Sequence, residues 1–397
     1  DPAAHYRSAE DRSVYRYMWQ KQWAWYFAWG RLGFNPALSE KTLIQAYEQH
    51  FGGAGKTIYA AMQQASVVVP LVYAYRFPGP DHRDFSPETE TGNLSAKRKN
   101  KISFLLQFID NHPEDERSFA GIGSFVDAKL ASQPDGRVSP LAVSMHLSDA
   151  AKATQELINT VPPLKGQAAN EWRLMKTDLL SASWLGEYHA RRITAMVYLG
   201  YALKTGREHD YSTAVQGLAT SREAWKKLSE TADAVYRPLS NPLRKQLDFQ
   251  WGAQLESIEK LDATASELWA QHASQDDARP LVVTAADRGW DAGVRVEKLD
   301  HELTADKNHV TIRCHASTRT GVAKVVLWYK ALPSQLAWQS VDMDALPDGS
   351  FAAKPDLTPE GLMYLVEVQS EDRQAENFPS VFKETPYRII PAFAAKP

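Results

Sequence analysis

The sequence predicts a multidomain protein, an all-α helical domain followed by an all-β sandwich of fibronectin or Ig-like type. Three observations lead there. Apolar residues recur at helical spacing up to about residue 275. Beyond a polar stretch at 276–280 the pattern switches to period two, with turn residues between short runs. A chain of 397 residues also exceeds what one ordinary core organises. The expected division is a helical domain at 1–275, a linker at 276–280 and a β-sandwich at 281–397.

The first element is the most unusual. Nine aromatic residues fall between Tyr15 and Phe34, namely Tyr15, Tyr17, Trp19, Trp23, Trp25, Tyr26, Phe27, Trp29 and Phe34. The spacing predicts one helix over 12–29, apolar on more than one face and therefore either buried among other helices or lining a pocket. Gly30, Gly33 and Asn35-Pro36 are expected to stop it. Ser39 then reads as the N-cap of a helix that carries Leu43, Ile44, Tyr47 and Phe51 inward and ends at Gly52-Gly53. A third helix is expected from about Lys56 to Val69. The segment FPGPDHRDFSPETETGN (77–93), rich in proline and acids, is expected to be a loop.

Further helices are expected at 102–109, 118–131 and 140–160, the last with Ser139 as cap and Pro140 at its first position. A long helix spans about 167–204, with Trp172, Met175, Leu179, Ala182, Gly186, His189, Ile193, Met196 and Gly200 on one stripe. Two more follow at 211–235 and 242–272. Strands are expected at 310–314, 322–329, 351–353 and 363–368, with Pro347-Asp348-Gly349 as a turn, and six or seven strands in all.

Composition narrows the function. The net charge of −3 argues against nucleic acid as a partner, since duplex binders carry a basic excess. The longest apolar run, ASVVVPLVYAY at 65–75, is too short to span a bilayer, so no membrane insertion is expected. Cys314 is the single cysteine, which excludes an intrachain disulfide. There is no HExxH, no paired-histidine spacing and no acidic calcium loop, so the sequence implies no metal and no cofactor. GxSxG and GxGxxG are absent too. The chain opens at Asp1 without an initiating methionine, which reads as loss of a leader or as the C-terminal part of a longer polypeptide.

Three clusters remain. HFGGAGKT at 50–57 mimics a phosphate loop but lacks the first glycine and follows a helix, so a helix–loop–helix turn is the expected outcome. On the long helix, Tyr188, His189, Arg191 and Arg192 are candidates for proton abstraction and carboxylate neutralisation. Their alternative is structural, with His189 in the core and Glu187–Arg191 as a surface pair. In the aromatic block, Trp25, Trp29, Arg31 and Asn35 are candidates for substrate binding: flat rings cover the C–H faces of a pyranose while Arg31 and Asn35 donate hydrogen bonds. Their alternative is plain core filling.

WGRLGFNP after an aromatic helix, with DGRVSPLAVSMHLSDAA (135–151) and LLSASWLGEYHARRITA (179–195), resembles the helical region C-terminal to the catalytic barrel of bacterial polysaccharide-degrading glycoside hydrolases, of α-glucuronidase and N-acetylhexosaminidase-like types. VAKVVLWYK, the DGSF turn and TPYRII resemble the fibronectin or Ig-like modules appended to such enzymes. The resemblance implies an upstream barrel holding the catalytic acids, a poly- or oligosaccharide partner, and a periplasmic or secreted location. The (β/α) alternation of a barrel is missing from this sequence, so catalytic residues cannot be carried over. Two alternatives stand beside this reading, a self-sufficient helical polysaccharide lyase and a non-catalytic glycan-binding protein.

Overall fold

The computed structural model describes residues 5–76, 102–240, 248–272, 280–284, 286–289, 293–303, 310–332, 337–355, 358, 360–382 and 384–391. The loop expected at 77–93 lies outside them. The chain forms two compact units, 1–110 with 144–280, and 111–143 with 281–397. The helical region followed by antiparallel sheets matches the expected fold class. The units do not follow the chain in simple order, because 111–143 groups with the sandwich.

The first unit is organised around α10 (Gly166–Thr205), a 40-residue helix about 60 Å long at 1.5 Å per residue. It ends at Gly206, whose left-handed φ of 70° lets its N–H cap Ala202 O. Around it pack α1 (Ala9–Val14), α5 (Gly55–Ala65), α6 (Val68–Arg76), α7 (Ile102–Asp110), α11 (Glu208–Val235) and α12 (Leu255–His272). Small residues allow the closest approach: a Cβ on Gly217 of α11 would stand 2.8 Å from Ala195 Cβ. α9 (Pro140–Thr160) belongs to this unit from Ser144 on and is tied to α10 by polar contacts. Ser144 Oγ donates to Ala190 O at 2.7 Å, Ser148 Oγ to Glu187 Oε1 at 2.8 Å and Gln155 Nε2 to Ser183 Oγ at 3.1 Å.

Two helical boundaries differ from expectation. The described part of 242–272 becomes helical only at Leu255; before it stand the short strands β1 (Leu239–Ser240) and β2 (Asp248–Phe249) and a 3-10 turn at Gly252–Gln254. The helix expected over 118–131 is shorter, α8 (Ile122–Leu130), because Phe119 instead makes a parallel bridge to Val138.

In the second unit, β3 (Val294–Leu303), β4 (Val310–Thr318), β7 (Asp344–Ala345) and β8 (Phe351–Ala353) form one antiparallel sheet in the order β3-β4-β8-β7. The other runs β10-β9-β5-β6, from β5 (Val322–Ala331), β6 (Gln339–Asp342), β9 (Gly361–Ser370) and β10 (Ala375–Phe378), with β11 (Arg388–Pro391) also pairing with β9. Alternate residues supply the core between them: Val310, Ile312 and Cys314 of β4, Val325 and Leu327 of β5, and Leu362, Tyr364, Val366 and Val368 of β9. Burial pushes the Cys314 thiol pKa up to about 11, which makes it an inert core residue.

A half-solvated sheet would leave the other face of β9 polar and wet. Here Leu365 and Glu367 on that face are buried as well, and 111–143 supplies the groups that close over Glu367. Arg117 stacks on the Trp328 indole, 4.0 Å from ring centroid to guanidinium carbon, and pairs with Glu367 at 2.8 Å. Asn377 Nδ2 donates to Arg117 O at 3.0 Å, and its backbone N–H donates to Gly136 O at 2.9 Å. Gly136 has no alternative here, since a Cβ would stand 2.6 Å from Glu367 Cγ.

Both partners of the Arg117–Glu367 pair are less than a tenth exposed. Arg117→Ala would strand a carboxylate in this site, and the expected loss is about 3–5 kcal/mol in urea unfolding of the full chain. The double replacement Arg117→Met with Glu367→Leu should recover most of that loss. Equal stability of wild type and Arg117→Ala would show that the pair does not hold the segment.

Candidate functional site

The aromatic block is not one helix. α1 ends at Val14, Tyr15 to Tyr17 are extended or bent, α2 (Met18–Lys21) adds a turn and α3 (Trp23–Phe34) follows. Gln20 Oε1 makes the break by accepting from the N–H groups of Arg16 and Tyr17, both at 2.8 Å. Gly30 and Gly33 do not stop α3 as the sequence suggests. A glycine costs a helix only about 1 kcal/mol, whereas Asn35-Pro36 ends it outright, with Asn35 Oδ1 accepting from Ala37 N at 3.1 Å. α4 (Glu40–Phe51) starts at the expected Ser39 cap, whose Oγ accepts from Lys41 N.

The expectation of a helix buried among others is corrected by the accessibilities. α3 has no buried residue, and every residue from Gly30 to Ala37 is exposed. Trp25 is 57 % exposed, Trp29 67 % and Phe34 93 %, with Tyr17, Trp19, Tyr26 and Leu32 also exposed. Trp25 and Trp29, one turn apart, stack at 5.4 Å with ring planes 12° apart, and Tyr26 meets Trp25 edge-on at 4.8 Å. An exposed apolar cluster of this kind marks an interaction surface.

What holds α2–α3 is its N-terminal end. Trp23 stacks on His50 at 4.4 Å and also packs against Tyr47 and Phe51 of α4. His50 is fixed by Glu171 of α10, whose other oxygen accepts from Gln167 Nε2 at 3.0 Å. Burial pushes the Glu171 carboxyl up, but the hydrogen bonds from His50 and Gln167 outweigh it and hold the pKa below the ordinary value. Lys21 reaches Tyr236 OH at 2.8 Å and Asp178 at 3.3 Å. Burial opposes its charge, yet Asp178 and the Tyr6 phenol raise its pKa.

Of the four binding candidates, Trp25 and Trp29 come together. Arg31 lies two residues beyond Trp29, roughly opposite it on the helix, with its guanidinium 5.3 Å from the Phe27 ring centroid. Asn35 is exposed at the helix end and engaged in the cap. The candidates on α10 divide differently. Tyr188, His189 and Arg192 are at most 1 % exposed. Tyr188 packs edge-on against His189 and Trp225, and Arg192 pairs with Asp262 at 2.7 Å. Arg191 stands apart, on Glu187 at 3.1 Å and Thr220 O at 3.1 Å. A proton-abstracting pair must touch the polymer, and Tyr188 and His189 are sealed in the interior. The glycine segment forms a 3-10 turn, Gly52–Ala54, between α4 and α5, the helix–loop–helix turn expected.

Sequence reasoning missed the His50–Glu171 anchor, since the two residues are separated by 121 positions and neither carries a motif. Among the described residues no cluster of three or more His, Cys, Asp or Glu is placed to hold a metal ion, and no helix is long and apolar enough to cross a membrane.

No protein-family model matches the chain, and the curated proteins searched gave no match either. Among solved structures, the chain is similar to a GH138 enzyme targeting pectin rhamnogalacturonan II, with a TM-score of 0.54 and 14 % identity. The alignment covers 64 % of this chain and 38 % of that one, so the chain matches little more than a third of the enzyme's length. At this identity the likeness is one of fold. The chain is thus structurally similar to part of a glycoside hydrolase.

If the α3 rings serve a surface role, Trp29→Ala should change unfolding free energy by no more than about 0.5 kcal/mol, as for other exposed positions. Trp225→Ala, at a fully buried ring that donates to Trp251 O at 2.9 Å, should cost about 3–5 kcal/mol. Comparable losses for both would return Trp29 to the core. The Glu171 carboxyl gives a pH test. Its folded pKa is depressed, so its contribution is present above the ordinary glutamate value and lost as pH falls through the folded one. Glu171→Gln should therefore flatten the acid limb of a melting-temperature profile; an unchanged limb would remove Glu171 from the anchor.

Proposed function

We propose that the chain is the helical and β-sandwich portion of a polysaccharide-degrading glycoside hydrolase, and that the α2–α3 aromatic surface shapes the glycan cleft of that enzyme. The observation that carries this reading is the stacked, solvent-exposed Trp25–Trp29 pair, on a helix anchored at its N-terminal end by Trp23. An indole face offers a sugar ring a large apolar contact at small entropic cost, since few torsions are frozen. Arg31, on the opposite side of α3, and Asn35, at its end, add hydrogen-bond donors for hydroxyl or carboxylate groups elsewhere on a bound glycan. Partial likeness in fold to the pectin-targeting enzyme supports a pectic-polysaccharide partner; in this reading the catalytic acids lie on a separate part of the enzyme. Such a role places the protein in the periplasm or outside the cell.

The test is affinity electrophoresis of the full chain in gels containing pectic and other polysaccharides. Retardation by a pectic polymer is expected, with Trp25→Ala and Trp29→Ala each weakening it by about tenfold, equivalent to roughly 1.4 kcal/mol, at unchanged melting temperature. Absence of retardation on every polymer, or retardation indifferent to both substitutions, would overturn the assignment of this surface.

A further inference from the structure

The sandwich carries a groove of about 570 Å³ that no part of the preceding reading uses. That volume falls within the roughly 300–1,000 Å³ common for small-molecule sites. Its wall is the solvent-facing side of the β3–β4 hairpin. Strand alternation points Thr311, Arg313 and His315 of β4 outward while Val310, Ile312 and Cys314 go into the core. Antiparallel register sets Glu302 opposite Thr311, Asp300 opposite Arg313 and Lys298 opposite His315. The β7–β8 turn adds Asp348 and Ser350, and β11 adds Arg388. On β3, an edge strand of its sheet, His301 Nδ1 meets the hydroxyl of fully buried Tyr364 at 3.0 Å. Burial pushes that phenol up to about 12, so it stays a neutral hydroxyl and fixes the imidazole.

The chemistry of the lining selects the ligand. Lys298, Arg313 and Arg388 offset Asp300, Glu302 and Asp348, so neither an anion nor a cation meets a one-signed field. An apolar ligand finds little purchase, for Leu299 is the one aliphatic side chain among the described lining residues. Several charges are also already engaged: Lys298 with Asp300 at 2.6 Å, Arg388 with Glu384 at 3.0 Å, and Asp348 with its own Ser350 at 2.6 Å. Among the described residues this leaves Glu302 as an acceptor, Arg313 as a fork of donors, and Thr311 and the histidine rings as groups able to do either. A ligand that matches adjacent donors and acceptors without net charge is a polyol, because each hydroxyl both donates and accepts.

We propose that this groove is a second saccharide site, taking a neutral, hydroxyl-rich sugar segment between Glu302, Thr311, Arg313 and His315. It stands on the sandwich alone and does not depend on the α3 reading. The experiment titrates the full chain with a neutral galactan oligosaccharide and, in parallel, with an oligogalacturonate, following histidine-ring correlations by NMR. Signals missing in His301→Gln and His315→Gln identify the two groove rings. Neutral oligosaccharide should shift those signals, and Glu302→Ala and Arg313→Ala should each weaken binding by about tenfold without changing the melting temperature. Affinity should move less than about twofold between roughly 0.05 and 0.5 M salt.

A response only to oligogalacturonate, collapsing with salt, would make the groove an anion site and overturn the proposal. Unshifted ring signals with the neutral sugar, or binding that survives both substitutions, would overturn it as well. The Trp25→Ala/Trp29→Ala double variant separates the two sites, since it should keep the histidine shifts whether or not α3 binds glycan.

Discussion

Charged groups buried along α10 are paired across to other helices, and the positions of those partners fix the helices around it. Arg192 is the sharpest case. It sits at 1 % exposure inside the unit and is neutralised by Asp262 of α12, which also binds Arg222 of α11 at 2.5 Å. One carboxylate thus ties three helices, and moving any of them would leave a charge dry and unpaired, a far larger penalty than a lost apolar contact. The same logic places α9 through Ser144, Ser148 and Gln155, and it places α2 through Lys21 and Asp178. Apolar packing supplies the bulk of the driving force, while these pairings choose one arrangement among those that would bury similar area.

The aromatic surface depends on that order. Trp23 is clamped between His50 and the α4 rings, and His50 is held by Glu171 on the spine. The exposed part of α3 is therefore tied through α4 to the long helix α10, and an anchored contact surface has less freedom to lose on binding. Its chemistry divides around the helix axis. Trp25, Trp29 and Leu32 share one side, while Arg31 rests against Phe27 on the other, so ring contact and polar contact would reach different parts of a bound partner.

Much of the fold was legible because periodicity is a local signal. The spacing of Trp172 through Gly200 marks α10 almost to the residue, and Ser39, Ser139 and Gly52 punctuate helices as their side-chain chemistry dictates. The strands on β4, β5 and β9 follow from alternation for the same reason. Accessibility of α3 was not legible, since a helix apolar on all sides has the same pattern whether neighbours cover it or not. Tyr188 and His189 were ambiguous in sequence because burial depends on what stands opposite, here Trp225 on α11. The His50–Glu171 pair, the groove on β3–β4 and the coverage of β9 by 111–143 all join residues distant in the chain, and no local pattern announces them.

That last feature bears on how the protein is made and inherited. Arg117 and Glu367 are separated by 250 positions, so the outer face of β9 is finished by a segment that leaves the ribosome long before the strand does. During synthesis, 111–143 must remain unspent while the helices on either side of it are completed. The tail is accordingly not a cassette that recombination can lift out at the polar stretch near 276–280. A gene fragment starting there would encode a sheet whose Trp328, Leu365 and Glu367 face water, and evolution can trade this module only together with a piece of polypeptide embedded far upstream.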